Sequence, residues 1–186
     1  MTARSLNPLE HRTGILNERA QADPSFQVVE LEETAQVSVR GGTSAAEALD
    51  LPTEPNTFVT QGDRTILWLG PDEWLVLAPG ASLDAIVAEM DEALSASHRS
   101  VVDVSANRVL LRLHGSGVRD VLATGCPLDL HPRSWTAGRC AQSLVMDVPA
   151  ILVRREEHTT WLLVRPSFAE HVVDRLLDAA SVMVSS

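Results

Sequence analysis

Apolar and polar residues alternate along Gln36-Val-Ser-Val-Arg40, which predicts a half-buried strand. Leu110, Leu111 and Leu113 crowd together further on, with Arg112 and His114 interleaved among them, and predict a second. The period then changes. Leu83, Ile86, Val87, Met90 and Leu94 recur at helical spacing after Ser82, and Phe168, Val172, Leu176, Leu177 and Ala180 do so after a capping box at Ser167 and Glu170. Short helices are predicted at residues 45–49, after Gly41-Gly42, and at Val118, Val121 and Leu122, with Ser116 as cap and Gly125 as stop. Paired strands are expected at 64–69 and 73–78, joined by Gly70-Pro71-Asp72, and at 140–147, 150–155 and 160–164.

The two halves run in the same order. Trp74-Leu-Val-Leu-Ala-Pro79 resembles Trp161-Leu-Leu-Val-Arg-Pro166, 87 positions on, and Val37-Ser-Val-Arg-Gly-Gly42 resembles Leu111-Arg-Leu-His-Gly-Ser116, 74 positions on. The second half thus carries about 13 more residues between its short helix and its strand pair. The fold expected is α+β, a duplicated strand-helix-hairpin-helix unit with mixed or antiparallel sheets. Residues 1–24, broken by Pro8, Gly14 and Pro24, are expected as an extended N-terminal arm. Residues 25–186 are expected as one domain of two pseudo-repeats, at about 25–98 and 99–186.

Composition narrows the function classes. The net charge is −10 and all 15 basic residues are arginine, which argues against a basic nucleic-acid groove. Without lysine there is no Schiff-base chemistry on a lysine and no Walker-type phosphate loop. No apolar run is long enough to span a bilayer and residues 1–22 lack a signal-peptide core, so the expected location is cytoplasmic. Cys126 and Cys140 have no second pair, and no histidine has a partner at metal-ligand spacing; two free, buried thiols and no metal site are expected.

Gly115-Ser-Gly117 matches half of a dinucleotide fingerprint, but Asp120 stands where the third glycine belongs. Asp103, Asp129 and Asp147 are the carboxylates nearest structured turns. Asp129 and His131, one residue apart, read either as an acid/base couple, as an Asx turn, or as a surface contact for another protein. Trp68, Trp74 and Trp161 are expected in or near the core. Trp135, in the loop between Pro132 and Gly138, either packs that loop down or anchors a partner. The candidate partner-contact residues are therefore Asp129, His131, Arg133 and Trp135; no catalytic, cofactor-binding or metal-binding residue is assigned.

At Gly125-Cys-Pro-Leu-Asp-Leu-His-Pro132, Gly138-Arg-Cys-Ala-Gln142 and Arg165-Pro-Ser-Phe-Ala169 the chain resembles the gamma subunits of heterotetrameric sarcosine oxidases. Leu67-Trp-Leu-Gly-Pro-Asp-Glu-Trp-Leu75 and Ser5-Leu-Asn-Pro-Leu-Glu-His11 fit the same family. That family is similar in turn to the aminomethyltransferase of the glycine cleavage system, through Val101-Val-Asp-Val-Ser105 and the glycine-loop-strand order after it. The turn Met146-Asp-Val-Pro149 departs from the acidic, glycine-containing turn of those enzymes and leaves Asp147 as its one carboxylate. The resemblance implies an aminomethyltransferase-like fold and a non-catalytic subunit docked on the folate-binding region of an alpha subunit, with beta and delta subunits in the same complex. It implies FAD, FMN, NAD and tetrahydrofolate on the other subunits and no cofactor here. The alternative is a stand-alone folate-binding protein using Asp147 or Asp129.

Overall fold

The computed structural model describes residues 8–14, 16, 18, 23–31, 34–80, 82–96 and 98–184. The chain divides into two compact units: one of Met1–Leu31, Ala106–Ala137 and Gln142–Ser186, the other of Glu32–Ser105 and Gly138–Ala141. The units cut across the repeat boundary expected near residue 98, because each half contributes its first strand to the sheet of the other unit.

The second unit is built on strands β2 (Thr34–Gly41), β3 (Phe58–Gln61), β4 (Arg64–Gly70), β5 (Glu73–Pro79) and β6 (Arg99–Asp103), with helices α1 (Thr43–Ala48) and α2 (Leu83–Ala93). Its sheet order is β3-β4-β5-β2-β6, antiparallel throughout. Val37 and Val39 of β2, Trp74, Val76 and Ala78 of β5, and Ile66 of β4 share one face and form a core with Ala45, Ala46, Ile86, Met90 and Leu94. The last three recur every four residues, so one stripe of α2 meets the alternate residues of the strands. Each buried leucine-sized side chain in such a core contributes about 1.5–3 kcal/mol. Trp74 is 1% exposed, and its indole Nε1 donates to the Pro52 carbonyl at 2.8 Å, which removes the cost of burying that N–H.

The first unit is built on β1 (Gln27–Glu30), β7 (Val109–His114), β8 (Cys140–Val145), β9 (Val148–Glu156) and β10 (Thr159–Val164), with α3 (Val118–Ala123) packed against α4 (Ala169–Val184). The order β1-β7-β10-β9-β8 repeats that of the other sheet, strand for strand. Leu31 N–H donates to Leu110 O at 2.8 Å, as Val104 N–H donates to Gln36 O at 2.9 Å. Each hairpin carries a bulge one residue before its turn, at Leu69 and at Arg155.

That register corrects one reading of the sequence. Leu67 pairs with Leu75, and Val153 with Trp161, so the matching positions of the hairpins lie 86 residues apart, and Trp161 corresponds to Leu75. Trp74 corresponds to Thr160. A shift of one residue turns a strand side chain to the opposite face, so Trp161 is half-buried while Thr160 is fully buried.

Other differences are local. Pro8–Gly14 is turned, with a 3-10 turn at Glu10–Arg12, where an extended arm was expected; buried Leu9 and an ion pair from Arg12 to Asp174 hold it there. Residues 1–7, 15, 17 and 19–22 of that expected arm lie outside the described residues. The N-cap of α3 is Gly117 and not Ser116, and no side chain caps it. Phe168 belongs to a 3-10 turn (Pro166–Phe168) and is exposed; Ala169, Val172, Val173 and Leu176 take the buried face of α4 instead. β3 went unpredicted, because Phe58-Val-Thr-Gln61 is too short and too mixed to signal a strand.

Candidate functional site

The irregular segment after α3 begins with a close approach. Gly125 O accepts from Met146 N–H at 2.8 Å, which seats the loop on the β8–β9 turn, and a Cβ on Gly125 would displace the flexible end of the Met146 side chain. The next residues fold into a tight hydrogen-bonded turn. Asp129 Oδ1 accepts from His131 N–H at 3.0 Å, and His131 O accepts from Ser134 N–H at 2.8 Å and Trp135 N–H at 2.9 Å. His131 Nδ1 accepts from Arg133 N–H at 3.2 Å. The Ser134 hydroxyl and the His131 N–H hold the Asp129 carboxyl below its usual range, in that order of importance.

This geometry separates the readings of Asp129 and His131. The carboxylate engages the backbone of His131 and the imidazole turns to Arg133, so the pair is an Asx turn and not an acid/base couple. Asp129, His131 and Arg133 are exposed together. Trp135 is 7% exposed, with a buried indole N–H that has no hydrogen-bond partner among the described residues. It packs the loop from inside while the other three point outward.

The remaining chemistry does not converge. Asp147 is exposed in the two-residue β8–β9 turn, where Met146 and Asp147 both adopt left-handed backbone conformations at φ 51° and 65°. Asp103 accepts from Ser105 N–H at 2.8 Å and ends β6. The half fingerprint at Gly115-Ser-Gly117 is filled by the chain itself: Gly117 N–H donates to Ser25 O at 2.9 Å, and a Cβ on Gly115 would collide with that carbonyl. Ser25, Ser116, Asp120 and Met183 line an open cavity of about 380 Å³ there.

Both cysteines are free and buried; burial pushes the Cys140 thiol up to about 12, and it donates to Thr57 O at 3.1 Å. Among the described residues, no group of three or more His, Cys, Asp or Glu could hold a metal ion, and no helix is long and apolar enough to cross a membrane. One arrangement escaped the sequence reading: the Arg155 guanidinium lies 4.2 Å from the centroid of the Trp161 ring. The alternation of Arg112 with leucines, and an arginine pair preceding a tryptophan hairpin, were the available signals.

Comparison with known proteins places this geometry. Residues 32–182 match the model of the sarcosine oxidase, gamma subunit family. The chain is 36% identical to the sarcosine oxidase subunit gamma of Corynebacterium sp. (strain P-1), over 96% of this chain and 91% of that one. It is 35% identical to the subunit gamma of Arthrobacter sp., with the same coverage. A solved chain of the heterotetrameric sarcosine oxidase from Corynebacterium sp. U-96, in complex with pyrrole 2-carboxylate, superposes with a TM-score of 0.86 at 31% identity, covering 97% of this chain and 96% of that chain. The aminomethyltransferase T of the glycine cleavage system from Bartonella henselae shares the fold, with a TM-score of 0.65 at 16% identity, over 88% of this chain and 48% of that chain.

Proposed function

Since the chain belongs to the sarcosine oxidase gamma subunit family, we propose that it serves as the non-catalytic gamma subunit of a heterotetrameric sarcosine oxidase. The observation that carries the reading is the superposition on a chain of such an oxidase over nearly the full length of both. In this reading the complex oxidises sarcosine with oxygen to glycine and hydrogen peroxide, and hands the one-carbon unit to tetrahydrofolate. FAD, FMN, NAD and folate reside on the other subunits.

The chain docks directly on the alpha subunit, at its folate-binding region, and meets the beta and delta subunits through the complex. The shared fold supports this assignment: the chain matches about half of an aminomethyltransferase, so the fold is one that elsewhere forms part of a larger chain. The exposed Asp129, His131 and Arg133 are assigned to the contact, with Trp135 fixing the shape of the loop that presents them. The subunit functions in the cytoplasm.

The test is the native mass of the chain co-expressed with its partner subunits, followed by sarcosine-dependent peroxide production with and without it. Stable co-elution, with no activity from this chain alone, is the expected result. Folate binding by the isolated chain, running alone, would overturn the subunit reading and turn attention to Asp147. Asp129→Arg is expected to weaken co-elution at least tenfold; unchanged assembly in that variant and in Arg133→Ala would remove the loop from the contact.

A further inference from the structure

Two side chains of the loop after α3 play the same part. Asp129 Oδ1 accepts from the N–H of His131 at 3.0 Å, and His131 Nδ1 accepts from the N–H of Arg133 at 3.2 Å, each two residues further on. These are successive Asx-type turns, a part that ordinarily falls to Asp, Asn, Ser or Thr. Here the second acceptor is an imidazole. Pro132 follows it, and the His131 carbonyl accepts from Ser134 and Trp135 N–H, with Trp135 packed inside the loop. The backbone is thus tied down on both sides of an exposed ring.

An imidazole nitrogen that accepts a hydrogen bond carries no proton. Protonation would set an N–H of the His131 ring against the N–H of Arg133, and the bond would be lost. Histidine is the side chain whose charge ordinarily changes between pH 5 and 8. Two other histidine contacts are free of this conflict. The Thr159 hydroxyl beside His114 Nδ1 can accept as well as donate, and the Glu170 carboxylate 3.8 Å from His11 favours a protonated ring.

The protonated His131 ring has an acceptor within its own turn. The Asp129 carboxyl is held below its usual range, first by the Ser134 hydroxyl and then by the His131 N–H, so it stays ionised while histidine titrates. A carboxylate has room for more than these two bonds. Asp129 and exposed Arg133 are the charged neighbours along the loop. No charged group of another element is hydrogen-bonded or ion-paired with the ring among the described residues.

We propose that His131 is a proton-sensitive latch on the partner-contact loop: the neutral ring holds Arg133 N–H in place, the protonated ring lets it go and turns to Asp129, and docking on the partner subunit weakens as pH falls from about 8 to about 6. The two states differ by one hydrogen bond in the turn that presents Asp129 and Arg133, so dissociation should change about fivefold.

This inference rests on the subunit reading, and the experiment separates the two. In the isolated full-length chain, NMR follows the His131 ring nitrogens and the Arg133 amide from about pH 8 to about pH 5. At high pH the ring should carry its proton on Nε2, and the Arg133 amide should shift with the same midpoint as the ring. A proton on Nδ1 at high pH, or an Arg133 amide that ignores the ring, would overturn the latch.

Dissociation of the co-expressed, purified complex is then compared at about pH 8 and about pH 6 for the wild type and for His131→Asn, whose amide keeps an acceptor that does not titrate. The wild type should dissociate about fivefold faster at the lower pH, and His131→Asn should show less of that acceleration. Other histidines of the complex titrate in both proteins, so the difference between the two isolates this ring. Equal acceleration in both would overturn the control of docking by His131 and leave the subunit reading intact. Failure of the wild type to assemble at either pH would overturn both.

Discussion

The two sheets are the same construction filled with different side chains. Each places a first strand from the opposite half at its edge, each joins that strand to the next by the same inter-strand hydrogen bond, and each bulges one residue before the hairpin turn. Yet where one sheet pairs Trp68 with Trp74 at the hairpin, the other pairs Arg154 with Thr160. Where Arg40 holds Glu73 through an ion pair at 2.6 Å, His114 meets Thr159 through Nδ1 and Oγ1 at 3.0 Å. Backbone pairing defines the fold, and the side chains at equivalent sites are free to diverge in chemistry: buried Arg154 and Thr160 stand where the other sheet carries two tryptophans.

The sharpest way to break this comparison is at the two tryptophans, which sequence similarity aligns and register does not. Trp74→Ala empties a fully buried site and abandons a hydrogen bond to Pro52, so a loss of about 3–5 kcal/mol is expected. Trp161→Ala removes a half-buried ring and its contact with Arg155, for about 1 kcal/mol. Urea unfolding of the full chain distinguishes them. Equal losses would mean that the two rings occupy equivalent sites after all.

That pair also marks how far the sequence could be read. Helical stripes such as Ile86, Met90 and Leu94, and alternation such as Val37 and Val39, announced their elements, because period and burial are set locally. The duplicated order was visible for the same reason. The register was not: Trp74-Leu-Val-Leu and Trp161-Leu-Leu-Val look superposable, and nothing local reveals a slip of one residue when both faces of a strand carry apolar side chains. The exchange of first strands was equally hidden, since Val28 and Val101 read alike whichever sheet receives them. In the loop, Asp129 and His131 could be singled out, but which atoms met, and that Trp135 turned inward, depended on backbone geometry beyond the reach of spacing.

A second contrast lies at the glycines that end the matching strands. Gly115 has φ 126° and faces the Ser25 carbonyl, so Gly115→Ala forces a left-handed alanine against backbone; a cost of about 1–3 kcal/mol from strain alone is expected. Gly41, at the matching position, would meet the Cβ of buried Ala45, which moves only with short α1, but carries no positive φ; about 1–3 kcal/mol of overpacking is expected for Gly41→Ala, without the added strain of Gly115→Ala. Thermal unfolding of the two variants side by side tests this. A larger loss for Gly41→Ala would show that α1 is the more rigid neighbour.

The polar pairs at the strand ends should differ in their response to salt. Arg40→Ala removes an exposed ion pair, expected to contribute about 0.2–1 kcal/mol at low salt and less as screening rises. Thr159→Val removes the hydroxyl facing His114, and about 1 kcal/mol is expected to be lost with little dependence on salt. Unfolding midpoints at two salt concentrations separate an electrostatic link from a neutral hydrogen bond. Parallel salt curves would erase the distinction.

The smallest expected difference is at the ends of the exchanged strands, where Glu30 and Asp103 occupy matching positions. Burial raises the Glu30 carboxyl above its usual value, opposed by the Leu9 backbone N–H, whereas exposed Asp103 caps Ser105. The folded chain therefore holds the Glu30 proton to higher pH than the unfolded chain does. Between the two values the native state binds more protons, so stability falls as pH rises through that window and is level above it. Glu30→Gln removes this fall, and the variant should gain on the wild type as pH increases from 4 to 7. Asp103→Asn instead alters the exposed acceptor of the Ser105 N–H, a bond expected to contribute about 0.5–1.5 kcal/mol. Denaturant midpoints across that pH range report both. A wild-type curve for Glu30 that rises with pH where a fall is expected would place its carboxylate in a stabilising contact, and the two exchanged strands would then end alike.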